Sequence, residues 1–137
     1  MRKTFTKVLR RFQEVLAKDS DRQDISCKSE IIEKFDEWVK SKEFCRRDET
    51  MQDIAARLDM SRYELSWVSR RIYGDNFPSL RKRLRIREAA RILSNHPELP
   101  ILHVAEMVGI ADKTNFRRQF AEETGMSPGE WREAHRK

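Results

Sequence analysis

The stretch Lys113-Thr114-Asn115-Phe116-Arg117-Arg118-Gln119-Phe120 sets two phenylalanines four residues apart, so on a helix they share one face. With Phe116 and Phe120 turned inward, Lys113, Thr114, Arg117 and Arg118 fall on the outer face. A guanidinium there can donate two hydrogen bonds to O6 and N7 of guanine, the commonest specific contact in the DNA major groove. A second helix of this kind follows Ser61. Its Leu65, Val68 and Ile72 point inward and leave Arg62, Tyr63, Ser66, Trp67 and Arg70 outside. An aromatic ring can touch a thymine methyl, and a serine hydroxyl can bond a base edge. Plainer alternatives stand beside these roles: ordinary surface charge for Arg117 and Arg118, and for Trp67 a place in the core above the small Ser69. Catalysis finds no comparable foothold. His96, His103 and His135 show no metal-ligand spacing with one another or with Cys27 and Cys45. No Gly-rich phosphate loop, G-x-S-x-G or H-E-x-x-H pattern occurs. The expectation is therefore a binding protein rather than an enzyme, with no cofactor and no metal.

These side chains need short, firmly bounded helices, and the chain is punctuated accordingly. Thr50-x-x-Asp53 can cap a helix carrying Ile54, Ala55 and Leu58. Ser61-x-x-Glu64 is a capping box, in which the hydroxyl takes the third amide and the carboxylate reaches back to the cap. Between these helices Asp59 stands where a tight turn requires positive φ, and Gly74 stands where the second helix must stop. The arrangement returns about 50 residues later. Ile101, Val104, Ala105 and Val108 form a short helix, Gly109 the turn, Asp112 the next cap and Gly125 the stop. Ser127-Pro128-x-Glu130 opens a last helix with Trp131.

Between the two copies, Pro78 opens a longer helix as its first residue, running to about Ser94 and carrying Leu80, Leu84, Ile86, Ala89, Ala90 and Leu93. A helix with Ile31, Ile32, Phe35, Trp38 and Val39 on one stripe precedes them. The expected fold is all-α: two helix-turn-helix subdomains joined by a linker helix, with an extra N-terminal amphipathic helix. That extra helix spans residues 4–17, with Phe5, Val8, Leu9, Phe12, Val15 and Leu16 on its apolar stripe, and residues 18–29 read as a polar linker. The domain division is then 1–30 and 31–137.

Composition suits the same class. The 137 residues include 29 Lys and Arg against 23 Asp and Glu, a net charge of +6. Six basic residues, Arg81, Lys82, Arg83, Arg85, Arg87 and Arg91, fall within eleven positions, as either a solvated helix face or a phosphate-facing surface. No apolar run approaches the roughly 18 residues of a membrane span, and the N-terminus lacks the apolar core of a secretory signal. A soluble, cytoplasmic protein without a disulfide framework is expected.

At these motifs the chain resembles the DNA-binding domain of AraC/XylS-family transcription regulators, over about residues 31–136. The resemblance is carried by Asp53-Ile54-Ala55, Leu58, Met60-Ser61, Leu65 and Gly74, then by Arg85-Ile86, Ala89 and Ile92-Leu93. It continues through Val104-Ala105 and Val108-Gly109-Ile110. Most specific is Phe116-Arg117-Arg118-Gln119-Phe120 with Gly125, Ser127-Pro128 and Trp131-Arg132. The family likeness implies seven helices, with two recognition helices entering successive major-groove segments on one face of DNA. Such segments lie roughly 34 Å apart, and a linker helix of about 17 residues spans roughly 25 Å.

Matched to the family's motif, the groove-facing positions of the first unit are Tyr63, Ser66 and Trp67, and Arg85 is expected to tie helices together through a carboxylate. The implied partners are double-stranded DNA and RNA polymerase. A sensor domain outside this chain, or a second copy meeting it through residues 4–17, are further candidates. Met1 slightly favours a complete small regulator over the C-terminal piece of a longer one. The rival function is a helical protein-interaction module that keeps the fold without reading DNA. Three departures from the family stand out: Ser69 replaces a large apolar residue, Ile110 a common Phe, and Ala121-Glu122-Glu123 the usual basic residues.

Overall fold

The computed structural model describes residues 25–136, so the amphipathic helix expected at residues 4–17 lies outside the described residues. Seven α-helices and no strand occur among those described. They are α1 (Ile25–Lys40), α2 (Met51–Arg57), α3 (Arg62–Tyr73), α4 (Phe77–Asn95), α5 (Ile101–Met107), α6 (Lys113–Thr124) and α7 (Pro128–His135), with a short 3-10 turn at Glu43–Cys45. The all-α expectation holds. One boundary moves: residues 25–29, expected within the polar linker, form the first turn of α1. They contain no Gly or Pro, and a helix anchored by its packed part extends backward at the gain of one hydrogen bond per residue.

The chain divides into two compact units. The first comprises the described residues up to Ser41 together with Glu49–Leu80; the second comprises Lys42–Asp48 and the chain from Arg81 onward.

In the first unit α1 and α2 both pack on α3. Trp38 and Phe35 are fully buried, with Phe35 ring centroids 5.3 Å from Trp38 and 5.2 Å from Tyr73, and Trp38 5.6 Å from Phe77. Burial drives the Tyr73 phenol well above its ordinary pKa. Both expected caps form complete boxes: Thr50 with Asp53, and Ser61 with Glu64. Asp59 takes a φ of 54° in the turn, and Gly74 closes α3 at 77°. Ser69 is fully buried, and its Oγ donates to the Leu65 carbonyl at 2.8 Å. The hydroxyl is satisfied within its own helix, and Trp67 is only half-buried rather than part of the core. At the start of α4, Pro78 is the second residue, not the first. The buried Phe77 begins the helix, and Asn76 Oδ1 caps it by accepting from the Ser79 amide at 3.0 Å. The first helical amides lack intrahelical partners, so proline is tolerated at either place.

In the second unit Ile86, Ala89, Leu93, Val104, Val108, Ile110, Phe116 and Phe120 form the core, and the Phe116 and Phe120 rings lie 5.8 Å apart. Ile110, where a Phe was usual, is buried and fills its place. In the segment Lys42–Asp48 the 3-10 turn engages the Lys42 and Glu43 carbonyls, and those beyond it need donors from elsewhere. Arg85 supplies them: its Nε donates to the Phe44 carbonyl and its Nη2 to that of Arg46, each at 2.6 Å. The carboxylate partner expected for Arg85 is thus replaced by backbone oxygens. Burial, with Arg81 close by, brings the Arg85 pKa down to about 10. Lys42 Nζ reaches Glu88 at 3.0 Å, and Arg91 bonds the same carboxylate. Burial pushes Glu88 upward, yet the bonds from Arg91 and Lys42 prevail and leave it below the ordinary carboxylate value.

Cys45 is half-buried, and burial raises its thiol to about 11, which makes it a poor nucleophile at neutral pH. The last helix is fastened by the two residues its motif singled out. Trp131 Nε1 donates to the Ala90 carbonyl at 3.1 Å, and Arg132 Nη1 to that of Leu99 at 3.0 Å.

Candidate nucleic-acid interface

Helix α6 starts cleanly because Asp112 accepts from the Asn115 amide at 2.7 Å. Its inner side is set by Phe116 and Phe120, both fully buried. That leaves Lys113, Thr114, Arg117 and Arg118 exposed, all on the side turned away from the core. Arg117 makes no hydrogen bond or ion pair among the described residues. Arg118 is held: its Nη2 donates to Asn115 Oδ1, and its Nη1 stands 4.0 Å from Glu122 Oε1. The bond from Arg118 to Asn115 was not expected from the sequence, although the spacing of three residues was a usable signal.

On α3, buried Leu65, Val68 and Ile72 fix the inner side. Tyr63 is 79% exposed, a costly placement for a ring with no partner. Arg62 and Arg70 are exposed as well, while Ser66 and Trp67 are half-buried. Lys28 Nζ sits 5.6 Å from the Trp67 ring centroid, a cation–π contact that covers part of the indole. So α3 offers an aromatic and basic outer face, and α6 a basic one with two exposed acids, Glu122 and Glu123, toward its C-terminus.

Five of the six basic residues clustered on α4 fall into two kinds. Arg81 and Arg85 bond the Arg46 carbonyl and Arg91 holds Glu88, so these three serve the fold. Lys82 and Arg87 are exposed. Among the described residues no group of three His, Cys, Asp or Glu could hold a metal ion, and no helix is long and apolar enough to cross a membrane.

Each unit therefore consists of a short helix, a tight turn with positive φ, and a capped second helix whose outer face carries cations and hydrogen-bonding groups. This is a double helix-turn-helix protein. Residues 54–134 match the family described as a helix-turn-helix domain. The chain is 33% identical over 84 residues to the RCS-specific HTH-type transcriptional activator RclR of Escherichia coli (strain K12), a match covering 61% of this chain and 29% of that protein. The C-terminal domain of AraT, a response regulator from Geobacillus stearothermophilus, superposes with a TM-score of 0.69 at 29% identity, over 78% of this chain and 87% of that one. The C-terminal domain of the two-component response regulator yesN from Fusobacterium nucleatum subsp. nucleatum ATCC 25586 shares the fold, with a TM-score of 0.61 at 23% identity, over 71% and 96%. The chain belongs to the AraC/XylS family of helix-turn-helix transcription regulators.

Proposed function

We propose that this chain recognises a specific duplex DNA sequence and thereby regulates transcription in the cytoplasm, with α3 and α6 entering successive major-groove segments. The observation that carries it is the outer face of α6, where Arg117 and Arg118 stand exposed behind a fully buried Phe116–Phe120 pair. Arginine at such a place grips guanine through two hydrogen bonds, and Lys113 and Thr114 add a phosphate partner and a single-bond contact. On α3, Tyr63 and Trp67 supply apolar contact to thymine methyls, Ser66 a base-edge bond, and Arg62 and Arg70 charge toward the backbone. The capped N-termini of α3 and α6 add positive dipole ends near phosphates. The chain spans 29% of the length of the curated relative it matches, and that relative is named an activator. RNA polymerase is then the protein partner, and a sensory part or a second copy acts through regions outside the described residues.

Selection from a pool of random duplexes tests the proposal. The expected outcome is enrichment of one asymmetric site with two preferred blocks of bases, since the two outer faces differ in every reading residue. A pool that stays random after repeated rounds would leave the fold without the function.

A further inference from the structure

The acids at the end of α6 stand where the family usually has basic residues, and one of them faces the proposed reading surface. Glu122 lies one turn beyond Arg118 on the same side of the helix, with Oε1 4.0 Å from Arg118 Nη1. Asn115 Oδ1 accepts from Nη2 of the same guanidinium. Arg118 is thus held at both ends of its fork, from the preceding turn and from the following one. Both partners of the ion pair are open to water, with side-chain exposures of 63% and 66%. Such a pair is weak and can be exchanged for a better partner. Glu123 carries the same charge about 100° further round the helix and makes no ion pair among the described residues.

A carboxylate beside a guanidinium acts unequally on the two kinds of acceptor that DNA presents. A guanine edge carries only partial charges, so the adjacent carboxylate disfavours it far less than it disfavours a full anion. A phosphate is an anion, and it is repelled by Glu122 as it approaches Arg118, well within the Debye length of about 10 Å at 0.1 M salt. From this we infer that Glu122 is a specificity-determining residue, which holds Arg118 ready for a base edge and suppresses its use as a loose phosphate contact. The inference rests on the DNA-reading function proposed above and assigns one residue's part in it.

Glu122→Gln keeps the shape and an acceptor oxygen while removing the charge. Binding of this variant is measured against a random-sequence duplex and against the selected site, at several salt concentrations. Affinity for the random duplex should rise several-fold at about 50 mM salt, the selected site should gain less, and the ratio between them should fall. One added phosphate contact steepens the log–log salt slope by about one, so the gain should shrink roughly three- to fourfold between 50 and 200 mM salt.

Glu123→Gln makes the same change of net charge and should have a clearly smaller effect. In an Arg118→Ala background, Glu122→Gln should lose its effect. Equal effects of the two glutamine variants, or an effect that persists without Arg118, would overturn the inference in favour of diffuse charge. Unchanged affinity for the random duplex would overturn it outright. Weaker binding to the selected site with one base preference lost would also overturn it, making Glu122 a direct reader of a cytosine amino group. A wild-type chain that binds no duplex removes the DNA-reading function itself, a result distinct from all of these.

Discussion

Gly109→Ala should lower the thermal midpoint of the protein by roughly 6–25 °C, while Gly125→Ala should cost much less. Both glycines have positive φ, 86° and 78°, where an L side chain pays about 1–2 kcal/mol. They differ in what a new methyl group would meet. At Gly125 nothing lies within 4 Å, so the backbone penalty acts alone. At Gly109 the added Cβ would stand 2.4 Å from the Cys45 carbonyl oxygen and 3.2 Å from Cζ of Arg85. Neither neighbour can withdraw easily, because Arg85 is fixed by its bonds to the Phe44 and Arg46 carbonyls. Overpacking of this kind costs a further 1–3 kcal/mol or so. The sum, about 2–5 kcal/mol, is a large share of a typical domain's total of about 5–15. Thermal melts followed by circular dichroism check the contrast. Equal losses at the two glycines would contradict the close approach at Cys45.

Arg117→Ala and Arg118→Ala should each weaken binding to the selected site by about 1–3 kcal/mol, roughly 5- to 150-fold, where the arginine grips a guanine. The preferred site should relax at the corresponding base while the other bases keep their preference. Arg117 makes no side-chain hydrogen bond or ion pair among the described residues, whereas Arg118 is steadied by Asn115 and Glu122. Ser66→Ala should lose less than either, since a hydroxyl makes one bond where a guanidinium makes two. Repeating the random-duplex selection with each variant is the measurement. A preferred site unchanged in both arginine variants would reduce α6 to a phosphate clamp.

What could be read from the sequence were the features decided by neighbours in the chain. Caps at Thr50, Ser61, Asp112 and Ser127 depend on residues three places away, and all four form as their spacing requires. The turn residues Asp59, Gly74, Gly109 and Gly125 reveal themselves because few other types accept positive φ. The inward Phe116 and Phe120 were visible from their spacing, and with them the outward direction of Arg117 and Arg118.

The segment from Lys42 to Asp48 was not legible. It begins and ends on non-glycine residues with φ of 58° and 62°, and its order comes from Arg85, about forty positions away. No local pattern encodes such a bond. The structural role of Arg85 was legible but its partner was not, since a run of arginines does not say which will be spent on backbone carbonyls. The proposed interface was legible in its cations and silent about their restraint: the contact of Arg118 with Glu122 depends on rotamers as well as on spacing.

Binding of duplex DNA through the charged outer faces of α3 and α6 should show itself in the dependence of affinity on salt. The most direct measurement is a fluorescence titration of duplex DNA carrying the selected site, repeated from about 50 to about 200 mM salt. Each phosphate neutralised should contribute about −0.9 to the slope of log affinity against log salt. The expected result is a straight, steep decline with several such contacts. Binding that is absent even at about 50 mM salt, or indifferent to salt across the range, would contradict it.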